Sequence, residues 1–190
     1  MTRNILSFLL VIMIGISGCQ NSQKESRQPD RDKPASSQMD KMLQETMAFP
    51  ASKINDSINT DISFANNTRG KNKLILKYSR TNCWECVEDC IRVLKKFSDS
   101  TGFSQSDIIV VSSDYTKRDF RLFHTNNLRD LTVYNLGEDI GLLIEKQNYP
   151  YLFVLDSNQV IRDIYLPVKY DDENTLHYLM KTLPKYSFKN

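Results

Sequence analysis

The distribution of apolar side chains divides the chain into three stretches of different character. Ile5 to Ile16 is a dominantly apolar run of twelve residues behind Arg3. Gln20 to Ser37 is polar and charged, with two prolines and almost no apolar side chain. Such a composition cannot bury enough surface to offset the entropy of ordering. From Met39 onward apolar positions recur with helical or strand periods, and the folded domain is expected there. Met39, Met42, Leu43 and Met47 fall at i, i+3, i+4 and i+8, which predicts a short amphipathic helix stopped by Pro50. Between Pro50 and Gly70, Ile54, Ile62 and Phe64 are separated by Asn, Asp, Ser and Thr. That stretch predicts short strand pieces around turns, with Asn66-Asn67 as a tight turn.

The pattern sharpens from Lys73. Leu74 to Tyr78 reads as a strand, Ser79 to Asn82 as a loop, and Cys83 opens a helical pattern. Cys86, Val87, Cys90, Ile91, Leu94 and Phe97 then share one apolar face at spacings of three and four. Ile108 to Val111 predicts a second strand, and Phe120 and Phe123 mark a helix from about Tyr115 to His124. Two β–α units in succession imply a parallel sheet. Leu131 to Tyr134 reads as a further strand and Ile140 to Ile144 as a short helix. After Asn148-Tyr149-Pro150, the runs Tyr151 to Leu155 and Val160 to Leu166 form a hairpin around Asp156-Ser157-Asn158-Gln159. Asp172 is expected to cap a last helix whose Leu176, Leu179, Met180 and Leu183 share one face.

The 190 residues, 40% hydrophobic and 25% charged, suit one globular domain with an appendage. The expected division is 1–18 as a leader, 19–37 as a tether and 38–190 as the domain. The formal charge is +2, and removal of Arg3 leaves 24 basic against 23 acidic residues, or +1. No electrostatic footprint for nucleic acid is visible. Two histidines, His124 and His177, lie far apart in sequence and offer little to a His-rich metal centre. The methionines read as core gap fillers rather than copper ligands. No cofactor and no metal is therefore expected.

The amino terminus reads as an address. A basic start, an apolar run and Ile16-Ser17-Gly18 before Cys19 give the anatomy of a signal peptide. Twelve residues rise about 18 Å as a helix, short of the ~30 Å hydrocarbon core of a membrane. Ile-Ser-Gly-Cys resembles the bacterial lipobox, and this resemblance implies that Cys19 is cleaved to the first position and carries lipid. A bacterial lipoprotein in the cell envelope, its domain extracytoplasmic or periplasmic, is the expected product. The tether would reach at most ~60 Å at roughly 3.3 Å per residue.

The remaining cysteines carry the chemistry. Cys83-Trp84-Glu85-Cys86 places a Cys-x-x-Cys pair at a helix amino terminus, where unpaired backbone N–H groups and the helix dipole favour a thiolate at the first cysteine. Cys83 is the expected nucleophile. Cys86, three residues on, is placed to attack a mixed disulfide on Cys83 and release the substrate. The order strand, loop, Cys-x-x-Cys, helix reads as redox rather than as half a zinc site. Glu85 should oppose thiolate formation, whereas Arg80 or Lys77, if near, would favour it.

On Cys83, Cys86 and Pro150, the chain from about Ile54 to Leu183 resembles the thioredoxin superfamily. Within it, the resemblance is to the periplasmic, membrane-tethered group around TlpA and ResA. It implies an α/β, thioredoxin-like fold with a central mixed β-sheet flanked by helices and an extra β–α insertion before a cis-proline. It further implies that the Tyr149–Pro150 bond is cis and that Tyr149 and Pro150 help hold an extended substrate. The chain departs from the family pattern in having no Trp before Cys83 and no Pro before Cys86. Lys77 also lies near where thioredoxin keeps a buried acid.

The expected activity is membrane-anchored thiol–disulfide exchange with the thiols or disulfides of exported proteins, as reductant or oxidant. A reductase would need a membrane electron donor. Trp84 is read as an exposed aromatic that contacts the partner, or else as packing. Cys90 reads as a buried structural thiol. The sharper alternative is Cys86-Val-Glu-Asp-Cys90 as a pair resembling the copper site of Sco-type assembly proteins. The competing class of function is a redox-inactive thioredoxin-fold binding lipoprotein. A peroxiredoxin is disfavoured, because Leu76 and Arg80 stand where its Pro-x-x-x-Thr/Ser-x-x-Cys pattern needs other residues.

Overall fold

Two strands buried on both faces set the centre of the architecture. They are β2 (Lys73–Ser79) and β3 (Ile108–Ser113), paired in parallel from Leu74↔Ile108 to Ser79↔Ser113. Their near-continuous apolar sequences follow from that double burial. In β2, Leu74, Leu76 and Tyr78 enter one core layer and Ile75 the other, because successive strand side chains point to opposite faces. The computed structural model describes residues 36–128 and 130–188. The leader at 1–18, Cys19 and the tether up to residue 35 lie outside the described residues. No described helix is long and apolar enough to cross a membrane.

The elements follow in the order α1 (Ser36–Leu43), β1 (Ile54–Ile58), α2 (Phe64–Thr68), β2, α3 (Trp84–Thr101), β3, α4 (Lys117–Asn127), β4 (Thr132–Leu136), β5 (Tyr151–Leu155), β6 (Ile161–Tyr165) and α5 (Asp172–Thr182). They build a mixed sheet in the order β1-β4-β3-β2-β5-β6. β4 continues the parallel set beside β3, while β5 pairs antiparallel with β2 and β6 antiparallel with β5. Helices α3, α4 and α5 cover one face through Val87, Leu94, Phe97, Phe120 and Leu179. Met42, Phe49, Phe64 and Ile144 cover the other. This is the expected α/β class with a central mixed sheet flanked by helices.

α3 ends where Gly102 takes the left-handed conformation (φ 72°) and donates its N–H to the Ser98 carbonyl, a conformation that costs glycine little. At the far end of β2 from the cysteines, Lys73 and Asp107 form a buried ion pair at 2.6 Å, and Lys73 Nζ also donates to the Ser106 carbonyl at 2.9 Å.

Several local expectations are corrected. Asn66-Asn67 is not a turn but lies inside α2: the Ser63 side chain caps that helix, and Phe64 and Thr68, one turn apart, are both buried. Ile62, expected in a strand piece, is exposed. The short helix expected at Ile140 to Ile144 is a 3-10 turn at Leu143–Gln147. It is displaced because Glu145 turns back to accept the N–H groups of Ile140, Gly141 and Leu142. The cap of α5 is Asp171, whose carboxylate accepts the Asn174 N–H, and Asp172 is the first helical residue. Met180 is exposed, and Thr175, Leu179 and Thr182 make the buried face instead. α1 begins at Ser36, within the stretch assigned to the tether.

The Tyr149–Pro150 bond, expected to be cis, is trans, as is every described peptide bond. The reversal that leads into β5 is made one residue earlier, by Asn148 in the left-handed region (φ 55°, ψ 38°). With the turn taken there, Pro150 is buried and Tyr149 stays exposed without a cis bond.

Candidate active site

The loop between β2 and α3 is tied at both ends. Arg80 N–H donates to the Ser113 carbonyl, and the Asn82 side chain accepts the Ser79 N–H at 2.8 Å. The Asn148 side-chain oxygen accepts from the Thr81 hydroxyl at 2.7 Å and from the Asn82 amide at 2.9 Å. These bonds bring the Tyr149-Pro150 segment beside the cysteine loop, although 65 residues or more separate them in sequence. Asn148 itself was not singled out from the sequence.

Cys83 is the N-cap of α3 and is exposed. Its carbonyl accepts the Cys86 and Val87 N–H groups at 3.1 and 3.2 Å, so the first turn of the helix closes on Cys83 itself. Cys86 is half-buried and Cys90 buried, and all three described cysteines are thiols. Hydrogen bonds from the Cys86 side chain and backbone hold the Cys83 thiol below its usual range, and the nearby Lys169 ammonium acts in the same direction. Burial pushes Cys86 up to about 11, and its bond to Cys83 adds to the rise. The pair is therefore split: one exposed thiol held below its ordinary value and one half-buried thiol held above it.

Lys169 is the cation the sequence did not reveal. It sits in the loop between β6 and α5, 84 residues from Glu85, and its ammonium meets the Glu85 carboxylate at 2.6 Å. The same loop is latched by Tyr170 N–H to Asp89 at 2.8 Å. Glu85 acts against Cys83 ionisation, as expected, but Lys169 stands against it. The two cations nominated from the sequence are engaged elsewhere. Arg80 pairs with Asp119 at 3.4 Å, and buried Lys77 pairs with Asp139 and Glu145 at 3.3 and 3.5 Å in the opposite core layer. Lys77 points away from α3 because it alternates with Leu76 and Tyr78 along β2.

Trp84 is half-buried and packs edge-on against Phe123, with ring centroids 4.7 Å apart, and against Tyr78 at 6.1 Å. Beneath it, the Tyr78 hydroxyl meets His124 Nε2. His124 Nδ1 lies 2.7 Å from the Phe120 carbonyl. A carbonyl only accepts, so Nδ1 carries the proton and Nε2 accepts from Tyr78. Burial drives His124 down to about 4, which keeps the imidazole neutral. Cys90 is raised to about 12 by burial, with Asp89 and Cys86 adding to it. His177 is exposed on α5. Among the described residues, no three His, Cys, Asp or Glu side chains are gathered as a metal-holding group.

No protein-family model matches the chain, and no curated protein matches it. Solved structures with a similar course of chain include the thioredoxin domain of a thiol-disulfide oxidoreductase from Bacteroides vulgatus, at 16% identity over 71% of this chain and 93% of that one, TM-score 0.43. A thiol-disulfide isomerase from Corynebacterium glutamicum is similar at 16% identity over 71% and 94%, TM-score 0.46. Yeast Sco1 is similar at 12% identity over 65% and 86%, TM-score 0.44. The topology itself is more informative. A β2-α3-β3 unit carries its cysteine pair at the head of α3, and an antiparallel β5-β6 hairpin and α5 follow, with sheet order β3-β2-β5-β6. β4 and β1 extend that sheet beyond β3. By this strand order and these strand directions, the chain has a thioredoxin-like fold.

Proposed function

We propose that the chain is a tethered thiol–disulfide oxidoreductase of the cell envelope. The observation that carries this reading is the split pair: Cys83 exposed and biased toward thiolate, with Cys86 one turn behind it and biased toward thiol. The Cys83 thiolate attacks one sulfur of a partner disulfide. A Cys83–S bond forms, the partner's S–S bond breaks, and the departing sulfur leaves as a thiolate that takes up a proton. Cys86 then loses its proton and attacks Cys83 Sγ, and the partner's second sulfur leaves as a thiol. The partner gains two electrons and the Cys83–Cys86 pair becomes a disulfide. A membrane dithiol donor returns the pair to thiols for a reductase. For an oxidase the same steps run in reverse, and a membrane disulfide acceptor restores the bond.

Tyr149 and Pro150 belong to the substrate side of this site in the proposal, since Asn148 holds them against the cysteine loop. Residues 1–18 serve as the signal peptide, Cys19 as the lipidated anchor, and the following polar stretch as the tether of an extracytoplasmic domain. Exported proteins are the partners.

The deciding experiment equilibrates the full chain against dithiothreitol and glutathione, with Cys90→Ser as the control and Cys83→Ser as the negative. A reversible two-electron couple that survives Cys90→Ser and disappears in Cys83→Ser is expected. A potential near ~−270 mV marks a reductase and one near ~−120 mV an oxidant. Absence of any reversible couple overturns the reading in favour of a redox-inactive binding lipoprotein.

A further inference from the structure

On the α4 side of the thiols lies a cavity of about 510 Å³ that no step of the proposed exchange uses. Asn82 and Trp84, the residues flanking Cys83, both line it, together with the rings of Tyr78, Tyr115 and Phe123 and the exposed side chain of Leu122. The rings brace one another: Trp84 is edge-on to Phe123 at 4.7 Å, Tyr115 stacks on Phe123 at 5.9 Å, and Tyr78 meets Tyr115 at 6.4 Å. The Tyr78 hydroxyl is committed to buried His124, so the inner wall offers ring carbon rather than a polar group. At the rim, Arg80 and Asp119 pair with each other at 3.4 Å. Their charges offset one another, and the cavity therefore has no standing demand for a charged guest.

A covalent constraint says what comes near this cavity. A substrate bonded to Cys83 is held by an S–S bond of about 2.05 Å, so the residues beside its cysteine must lie over the surroundings of Cys83. The aromatic cavity belongs to those surroundings, because both sequence neighbours of Cys83, Asn82 and Trp84, line it. We propose that this cavity is the specificity pocket of the exchange site and takes an aromatic or large aliphatic side chain next to the reacting cysteine of a polypeptide. The proposal rests on the exchange reaction above, and it adds a substrate class: exported proteins whose reacting cysteine has a bulky apolar neighbour.

The test uses the reduced full chain in detergent and short peptides that differ only beside a single cysteine, with Phe, Leu, Gly or Asp there. Each peptide cysteine is blocked as its mixed disulfide with 5-thio-2-nitrobenzoate. Cys83 attacks the peptide sulfur, the bond to the nitrobenzoate sulfur breaks, and the coloured thiolate leaves with the electron pair. The Phe and Leu peptides are expected to react about tenfold or more faster than Gly and Asp, the usual discrimination of an apolar pocket. In Tyr115→Ala, and separately in the rim variant Leu122→Asp, the Phe-to-Gly ratio should fall toward one. Equal rates for all peptides in the wild type, or a ratio that persists in both variants, overturns the pocket and leaves the exchange reading standing. Failure of Cys83 to react with any peptide overturns both.

Discussion

His124 offers the sharpest test of how the site is built, because one buried imidazole fixes the floor beneath Trp84. The folded protein holds it at about 4 against an ordinary value of 6.5. The unfolded chain therefore binds a proton between those values that the folded protein refuses. Stability from this group is complete above about pH 6.5 and is lost as pH falls toward 4. At about 1.36 kcal/mol per unit, the gap of roughly 2.5 units corresponds to about 3 kcal/mol. The perturbation is His124→Gln, which removes the titration and keeps a side-chain oxygen able to accept from Tyr78. Urea unfolding followed by circular dichroism at pH 7 and pH 4 gives four free energies. Carboxylates that titrate over the same range contribute alike to both proteins and cancel in the difference. The wild type should lose about 3 kcal/mol more than the variant between the two pH values. Equal losses in the two proteins would refute the buried neutral imidazole, as would an NMR signal of His124 that titrates above pH 6.

Iodoacetamide at neutral pH should label Cys83 first and Cys86 slowly, and should reach Cys90 only after unfolding; mass spectrometry of timed quenches reads the order. Lys169→Gln should slow labelling of Cys83 at neutral pH by less than about tenfold, since exposed charges are screened, and should leave the high-pH rate unchanged. Asp107→Asn should cost about 3–5 kcal/mol in urea unfolding by stranding buried Lys73, and Lys73→Met/Asp107→Leu together should recover most of it. Glu145→Ala should destabilise by about 3 kcal/mol or more, because three backbone N–H groups, the Tyr151 hydroxyl and Lys77 lose a buried partner.

What the sequence revealed and what it hid separate along a physical line. The strands β2, β3 and β5, the hairpin after Leu155 and the face of α3 were legible because burial on a regular element prints its period into consecutive residues. The place of the Cys83–Cys86 pair at the head of α3 was legible because it is local: four residues and a helix start suffice. Lys169 was hidden because a salt bridge across 84 residues leaves no mark in either neighbourhood. Whether Lys77 or Arg80 stands near the thiols was illegible for the complementary reason. Closeness in sequence put them near Cys83, but strand alternation turned Lys77 into the opposite layer and Asp119 engaged Arg80. Asn66-Asn67 misled because asparagine favours turns locally, and here the Ser63 cap with buried Phe64 and Thr68 outweighed that preference.

The split between the two thiols also orders the proposed reaction. Cys86 is held near 11 partly by burial and partly by its bond to Cys83 and the charge that bond shares. Once Cys83 is consumed in a mixed disulfide, that bond and that charge are gone, and only burial and Glu85 still oppose ionisation of Cys86. Lys169, which favours the Cys86 thiolate, remains in place. The resolving thiol therefore becomes easier to ionise at the moment its attack is needed and harder to ionise before it. The same logic gives Lys169 a part in both halves of the cycle, because its ammonium favours charge first on Cys83 and then on Cys86 while it neutralises Glu85 throughout. Replacing it should therefore slow release of a trapped partner as well as its capture, a pairing of effects that a change confined to Cys83 would not produce.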